Sequence, residues 1–266
     1  MPEGHTIHRL ARDHARDLVG HTIAARTAQE RFREGAQRVD GTVITRVEAW
    51  GKHLFHVLDS GQRLHVHLGL IGKWFRRAGP TVPELTPTTR LRLEAPEAGI
   101  AWDLTGPMTC AVIDPDQHRA VVTKLGPDPL RRNADPERGW HKIRSSTKSI
   151  GLLVMEQDVI AGIGNVYRSE LLNIVGIDPR RPGNQMTRGE FDDLWAETVR
   201  QLRLGMRRNK IVTRSASELT KPIAKLAKAE GLYAYKREHC GRCHTELDVY
   251  PIGGRTTWSC PSCQPS

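Results

Sequence analysis

Apolar residues recur at helical spacing over residues 3–19, where Ile7, Leu10, Ala11, Leu18 and Val19 fall on one stripe and Gly20 ends the run. From Thr22 to about Leu125 the pattern changes to short alternating runs broken by Gly and Pro. Thr42–Ala49, His53–Asp59, Gln62–Leu68, Arg90–Leu93 and Ala111–Ile113 read as strands of a layered β structure. Gly126–Asp135, with two prolines and two arginines, reads as a linker. Helical spacing returns in Thr147–Gln157 and Val166–Val175, the second closed by Gly176. Thr187 and Glu190 have the spacing of a capping box for a helix running to about Arg208. Asn209–Leu219 has no clear period and reads as a basic loop. The pattern predicts a multi-domain α+β chain: an N-terminal helix and β-sandwich over 1–125, a linker over 126–135, a helical domain over 136–232 and a small unit over 233–266.

Composition narrows the class. A chain of 266 residues with 38% hydrophobic and 26% charged residues can bury cores and is neither disordered nor fibrous. It has no apolar run of the ~20 residues needed to cross a bilayer, and charges from Glu3 to Asp17 interrupt any signal-peptide stretch. A cytoplasmic, nucleoid-associated location without a membrane partner is expected. The 40 basic and 30 acidic residues give a net charge of +10. The excess lies mostly after residue 125, where 23 basic residues face 16 acidic ones. Nucleic acid is one partner that fits; a merely basic surface is the other reading.

Cys240, Cys243, Cys260 and Cys263 form two CxxC turns 16 residues apart, the spacing of a four-thiolate zinc site. The intervening residues suit a β-hairpin turning at Gly253-Gly254. With four protein ligands the ion would be structural, since no coordination position remains for a substrate. His239 and His244 are surplus, and Cys110 reads as a core residue. Arg255, next to the glycine turn, is placed either to grip a phosphate or to sit in solvent.

The N-terminus carries a second chemistry. A small residue after Met1 permits removal of the initiator, leaving Pro2 as a secondary amine with a pKa near ~8. Such an amine can attack a sugar C1′ and form an iminium, an electron sink for elimination of neighbouring phosphates. Glu3 beside it can act as general acid. Equally, Pro2 and Glu3 suit an ordinary helix start.

Four separated matches make the chain resemble the formamidopyrimidine-DNA glycosylase/endonuclease VIII family of base-excision repair enzymes along nearly its whole length. They are Pro2-Glu3-Gly4, Gly51-Lys52, the run Gly162-Ile163-Gly164-Asn165-Val166-Tyr167-Arg168-Ser169-Glu170, and the cysteine hairpin with Arg255. The resemblance implies a helix–two-turn–helix domain and a zinc-finger hairpin. It implies Pro2 as Schiff-base nucleophile, Glu3 as proton donor and Lys52 as a hairpin cation beside the reacting sugar. Asn165 and Arg255 become phosphate clamps on bent DNA from which the damaged base is extruded. Leu70, with Ile71 beside it, becomes the apolar wedge filling the vacated space; Ile71 reads equally as a buried strand end.

Gly4 in place of the Leu of the 8-oxoguanine branch, and the lack of Arg or Phe in Asp103–Met108, lean towards the endonuclease VIII branch. The resemblance then implies a bifunctional glycosylase and AP lyase acting on oxidised pyrimidines by β,δ-elimination. It would use one structural zinc and no redox cofactor, work as a monomer, and take duplex, bubble or single-stranded DNA. A non-catalytic DNA-binding or damage-sensing protein is the alternative. An RNA-binding zinc ribbon would explain the charge and cysteines but not the N-terminal dipeptide.

Overall fold

The computed structural model describes residues 2–79, 82–227 and 229–265 and divides the chain into two units, residues 1–124 and 125–266. Met1, whose removal the Pro2 chemistry requires, lies outside the described residues.

The first unit opens with α1 (Gly4–Leu18), stopped at Gly20 with φ +86°. There follow β1 (Ala24–Arg26), α2 (Arg33–Val39), β2 (Ile44–Trp50), β3 (His53–Leu58), β4 (Arg63–His67) and β5 (Lys73–Ala78). The unit closes with β6 (Thr89–Ala95), β7 (Ile100–Thr105), β8 (Thr109–Ile113) and α3 (Pro115–Val122). Two four-stranded antiparallel sheets result, ordered β1-β6-β7-β5 and β2-β3-β4-β8. Their inner faces share one core: Leu54, Leu64 and Val66 from one sheet meet Leu91, Leu93 and Leu104 from the other, with Ile7, Ala11 and Leu18 of α1. The predicted sandwich is present. Strands β1, β5 and β7, and helices α2 and α3, are additions to the sequence reading. The signal for α3 was available: Asp114 and Gln117 form a reciprocal capping box around Pro115. Val19 is a correction to the helix stripe. It stands 36% exposed beyond the helix end, where it bridges in parallel to Ile44. Cys110 packs half-buried against the core, and burial pushes its thiol up to about 12.

Inside this core lies a polar pair. His14 of α1 and His56 of β3 are fully buried, with Nδ1 and Nε2 2.9 Å apart. Trp74 and Trp102 pack against the His14 ring. Burial drives His14 well below its ordinary pKa and His56 down to about 4, so both are neutral at pH 7. A neutral pair shares one proton as donor and acceptor; two imidazoliums would repel.

The second unit contains α4 (Pro136–Arg144), α5 (Ile150–Leu153), α6 (Asn165–Val175), α7 (Arg188–Arg208) and a hairpin of β9 (Asp248–Ile252) and β10 (Arg255–Ser259). Thr187 and Glu190 form the expected capping box. Gly176, at φ +75°, closes α6 as expected. The expected helix over 147–157 shrinks to α5. Its apolar residues are buried on several sides at once, as Ile150, Leu153, Val154, Val159 and Ile160 all enter one core. Gln157 satisfies the buried turn that replaces the helix: its amide donates to the carbonyls of Met155 and Ile163 and accepts from Gly162 N–H.

The buried histidines set the acid response. Burial likewise lowers His5 and His65 to about 4 and His53 to about 3. A group that resists protonation only when folded stabilises fully above its unfolded pKa of ~6.5, and that stability is lost as pH falls towards the folded value. Each of the two core histidines should contribute about 2 kcal/mol less at pH 5 than at pH 7. Asp17 titrates lower: burial raises it, but hydrogen bonds from Arg16, Arg76 and Trp102 outweigh that and hold it at about 2. Urea unfolding should therefore show stability falling steeply between pH 6.5 and 4; a flat profile over that range would contradict neutral burial.

Candidate active site and nucleic-acid interface

Pro2 is half-buried, and Glu3, in extended conformation, is fully buried as the N-cap of α1. The Glu3 carbonyl accepts the first helical N–H groups, from Thr6 at 2.9 Å and Ile7 at 3.4 Å. Helix α1 packs along β2 and β3. Its last residues sit at the start of β2, through the Val19–Ile44 bridge, and His14 sits at mid-strand, through His56, which pairs with Val47. From His14 back to Glu3 the helix rises about 16 Å, the length of roughly five strand residues. Five residues beyond Val47 is Lys52, in the Gly51-Lys52 turn between β2 and β3. The head of the helix and the lysine turn therefore fall at the same end of the sandwich.

The outer face of that sheet adds histidines to the lysine. His53 and His65 approach to 2.9 Å, and the rings of His53 and His67 are 4.9 Å apart. Burial lowers the pKa of both His53 and His67, with the Lys52 charge adding to it. His67 Nδ1 accepts the backbone N–H of Gly69 at 3.2 Å, anchoring the loop that carries Leu70 and Ile71. Leu70 is 57% and Ile71 76% exposed, so Ile71 is not a buried strand end. Gly69 has φ +66°, and a Cβ there would lie 2.9 Å from Met108 Cβ. Met108, from the β7–β8 loop, is itself 70% exposed. The first unit thus presents three apolar side chains from two touching loops. Sequence reading noted only that the second loop lacks Arg and Phe.

In the second unit Asn165 is the first residue of α6 and sits 7% exposed. Its Nδ2 donates to the Thr256 carbonyl at 3.0 Å, and Arg168 donates to its Oδ1. Arg168, fully buried, also donates to the carbonyls of Ile252, Arg255 and Thr256 at 3.1–3.2 Å. One guanidinium therefore fixes both Asn165 and the turn that ends at Arg255. Arg255 is exposed at the head of β10, after Gly253 and Gly254, which take φ +58° and +70°. Glu170, two residues further along α6, is equally buried. It accepts the N–H groups of Tyr233, Ala234 and Tyr235 at 2.7–2.8 Å, and the Thr213 hydroxyl. Both residues belong to the motif that pointed to Asn165, but their anchoring roles are visible only in three dimensions.

The four cysteine Sγ atoms lie within 4.8 Å of one another. Cys240–Cys263 is 4.0 Å and Cys243–Cys260 3.4 Å. A tetrahedral zinc with ~2.3 Å bonds needs sulfurs about 3.8 Å apart, so the set fits such an ion. Backbone N–H groups of Arg242 and Cys263 point at the sulfurs of Cys240 and Cys260, each at 3.4 Å, as thiolates require. His239 and His244 are exposed and outside the cluster.

Residues 1–109 match the family model of the formamidopyrimidine-DNA glycosylase N-terminal domain, and residues 125–217 that of the formamidopyrimidine-DNA glycosylase H2TH domain. The chain belongs to the formamidopyrimidine-DNA glycosylase/endonuclease VIII family. Endonuclease 8 1 of Mycobacterium tuberculosis is 43% identical over 269 residues, covering 99% of this chain and 100% of the relative. Formamidopyrimidine-DNA glycosylase of Lactococcus lactis is 27% identical over 273 residues, 99% of each chain. A solved complex of the wild-type Lactococcus lactis Fpg with DNA containing N7-benzyl-Fapy-dG superposes with a TM-score of 0.83 at 25% identity, over 100% of both chains. As a member of this family the chain is a DNA repair glycosylase of the endonuclease VIII type. Among the described residues no helix is long and apolar enough to cross a membrane.

Arg168 offers a direct check on this site. Arg168→Ala removes one buried cation and leaves several carbonyls without donors, which should cost about 3 kcal/mol or more. Calorimetry should show the second unit melting earlier; an unchanged melting profile would mean that the guanidinium is not what ties α6 to the hairpin.

Proposed function

We propose that the chain is a bifunctional glycosylase and AP lyase that removes oxidised pyrimidines from DNA through a Schiff base at Pro2. The observation that carries this reading is Glu3, fully buried at the head of α1 beside a half-buried Pro2, at the end of the sandwich where Lys52 turns. With the initiator gone, the Pro2 nitrogen attacks C1′ of the damaged nucleotide. The N-glycosidic bond breaks and the base departs with the proton that the attacking amine gives up. Glu3 protonates the ring oxygen as the sugar opens, giving an iminium between the nitrogen and C1′. Loss of a C2′ proton then expels the 3′-phosphate, and a second elimination expels the 5′-phosphate. The Lys52 cation stabilises the anionic groups at these steps and favours the neutral form of the amine.

Asn165 and Arg255 are assigned to the phosphates flanking the lesion. The Asn165 amide nitrogen carries two hydrogens, and the bond to Thr256 uses one. Leu70 and Ile71, joined by Met108, are assigned to the space left when the base leaves the stack. The endonuclease VIII name of the 43% identical relative supports oxidised pyrimidines, as do Gly4 and the composition of the 103–108 loop. One zinc held by Cys240, Cys243, Cys260 and Cys263 is assigned a structural role, keeping the hairpin that carries Arg255 in shape.

Three outcomes test the reading. Borohydride should trap the protein on DNA containing thymine glycol or an abasic site, and Pro2→Gly with Glu3→Gln should abolish trapping. Wild type without an adduct would favour the non-catalytic damage sensor. Arg255→Ala should weaken DNA binding across sequences and lower the slope of log affinity against log salt by about one; an effect confined to base choice would reject the clamp. Elemental analysis should find one zinc per chain, and chelation should change the fluorescence of Trp258, which packs 4.8 Å from Tyr235. Unchanged emission after metal removal would reject the structural role.

A further inference from the structure

The far end of α6 from Asn165 borders a cleft of about 500 Å³ lined by four arginines. Arg200 and Arg208 come from the last turns of α7, Arg214 from the loop that follows, and Arg242 from between Cys240 and Cys243. Ile174 marks the α6 end of the cleft. It lies nine residues beyond Asn165, about 14 Å along the helix, so this is not the Asn165–Arg255 site.

The positive charge here is only partly answered. Among the described residues the one ion pair made by any of the four is Arg200 with Glu197, at 2.6 Å. Arg208 donates to the Val212 carbonyl, Arg242 to that of Asn173, and Arg214 to those of Glu218 and Glu230. Carbonyls orient a guanidinium without cancelling its charge. No carboxylate lines the cleft. Glu218 is hydrogen-bonded by Ser215 and Tyr233 and offsets part of the Arg214 charge, and Glu170 is engaged by Thr213 and backbone N–H groups. Arg208 and Arg242 also suit the negative ends of α7 and α6. Helix capping does not account for Arg214, whose Nε is buried with no hydrogen-bond partner among the described residues.

We infer that this cleft is a second anion site and takes a phosphate group. Arg200 already gives Nε and Nη2 to Glu197; the remaining N–H donors of guanidiniums fixed on three elements suit a tetrahedral oxyanion, and the volume is that of a small-ligand site. The phosphate is either free or part of a nucleic-acid strand at a distance from the lesion clamp.

The test compares the full-length wild type with Arg200→Gln, Arg242→Gln and Arg255→Gln. Thermal stability is followed as inorganic phosphate replaces chloride at constant ionic strength. Non-specific stabilisation by phosphate acts on all four proteins alike. The site predicts an additional, saturable shift in wild type and in Arg255→Gln, with the dissociation constant raised about tenfold in the other two. Arg200 is exposed and bonded to Glu197, so Arg200→Gln keeps the fold even if the Arg242 variant does not. Identical shifts in all four proteins, or a shift lost only in Arg255→Gln, would overturn the inference. Undamaged duplex DNA then separates the sources. A strand phosphate predicts weaker binding and a salt slope lower by about one in Arg200→Gln, and free phosphate predicts unchanged DNA binding.

Discussion

The first unit depends on the alignment of α1 with β2 and β3. A helix laid on a sheet could slide or rotate with little loss of apolar burial, because burial is not directional. The His14–His56 contact is directional, and both rings are fully buried. It sets the helix at mid-strand, while the Val19–Ile44 bridge sets its tail. With both points fixed, the head of the helix has one place to go, the end of the sandwich where the chain turns at Lys52. The catalytic geometry proposed for Pro2 and Glu3 follows from that alignment.

The second unit solves a similar problem with buried charge. Arg168 and Glu170 lie two residues apart on α6 and are both fully buried. Each reaches a segment distant in sequence: Arg168 the hairpin turn, and Glu170 the turn at 233–235 and Thr213. A buried ion is costly unless nearly all its polar capacity is met, and here backbone groups meet it. Such pairing is geometrically demanding, so it fixes the position of the hairpin relative to α6. Asn165 is buried and Arg255 exposed, and both are set by this buried chemistry. The cysteine cluster lies at the other end of the same hairpin.

Much of this was legible from the chain. Strong periodicity with clear stop signals located α1, α6 and α7, since Gly20, Gly176 and the Thr187–Glu190 box act locally. The cysteine quartet announced its own cluster because ligand spacing is a local constraint. The failures lie where tertiary context decides. Residues 147–157 have helical spacing but fold into a buried turn, because Gln157 satisfies the backbone there. Leu70 and Ile71 stand out in one loop, whereas Met108 joins them on the surface from a strand connection 37 residues beyond Ile71. Arg168 and Glu170 stood inside a recognised motif, but nothing in their spacing says which carbonyls and amides they meet. The arginine cleft gathers residues from 200 to 242, and no periodicity could bring them together.

The central claim is chemical: the nucleophile is the secondary amine of Pro2, and α1 carries it to the Lys52 end of the sandwich. Peptide mapping by mass spectrometry of the borohydride-reduced DNA adduct tests this most directly. The account predicts that the deoxyribose remnant is attached to a peptide beginning at Pro2, with the initiator methionine absent. An adduct on Lys52, or a cross-linked and active chain that still begins with Met1, would contradict it.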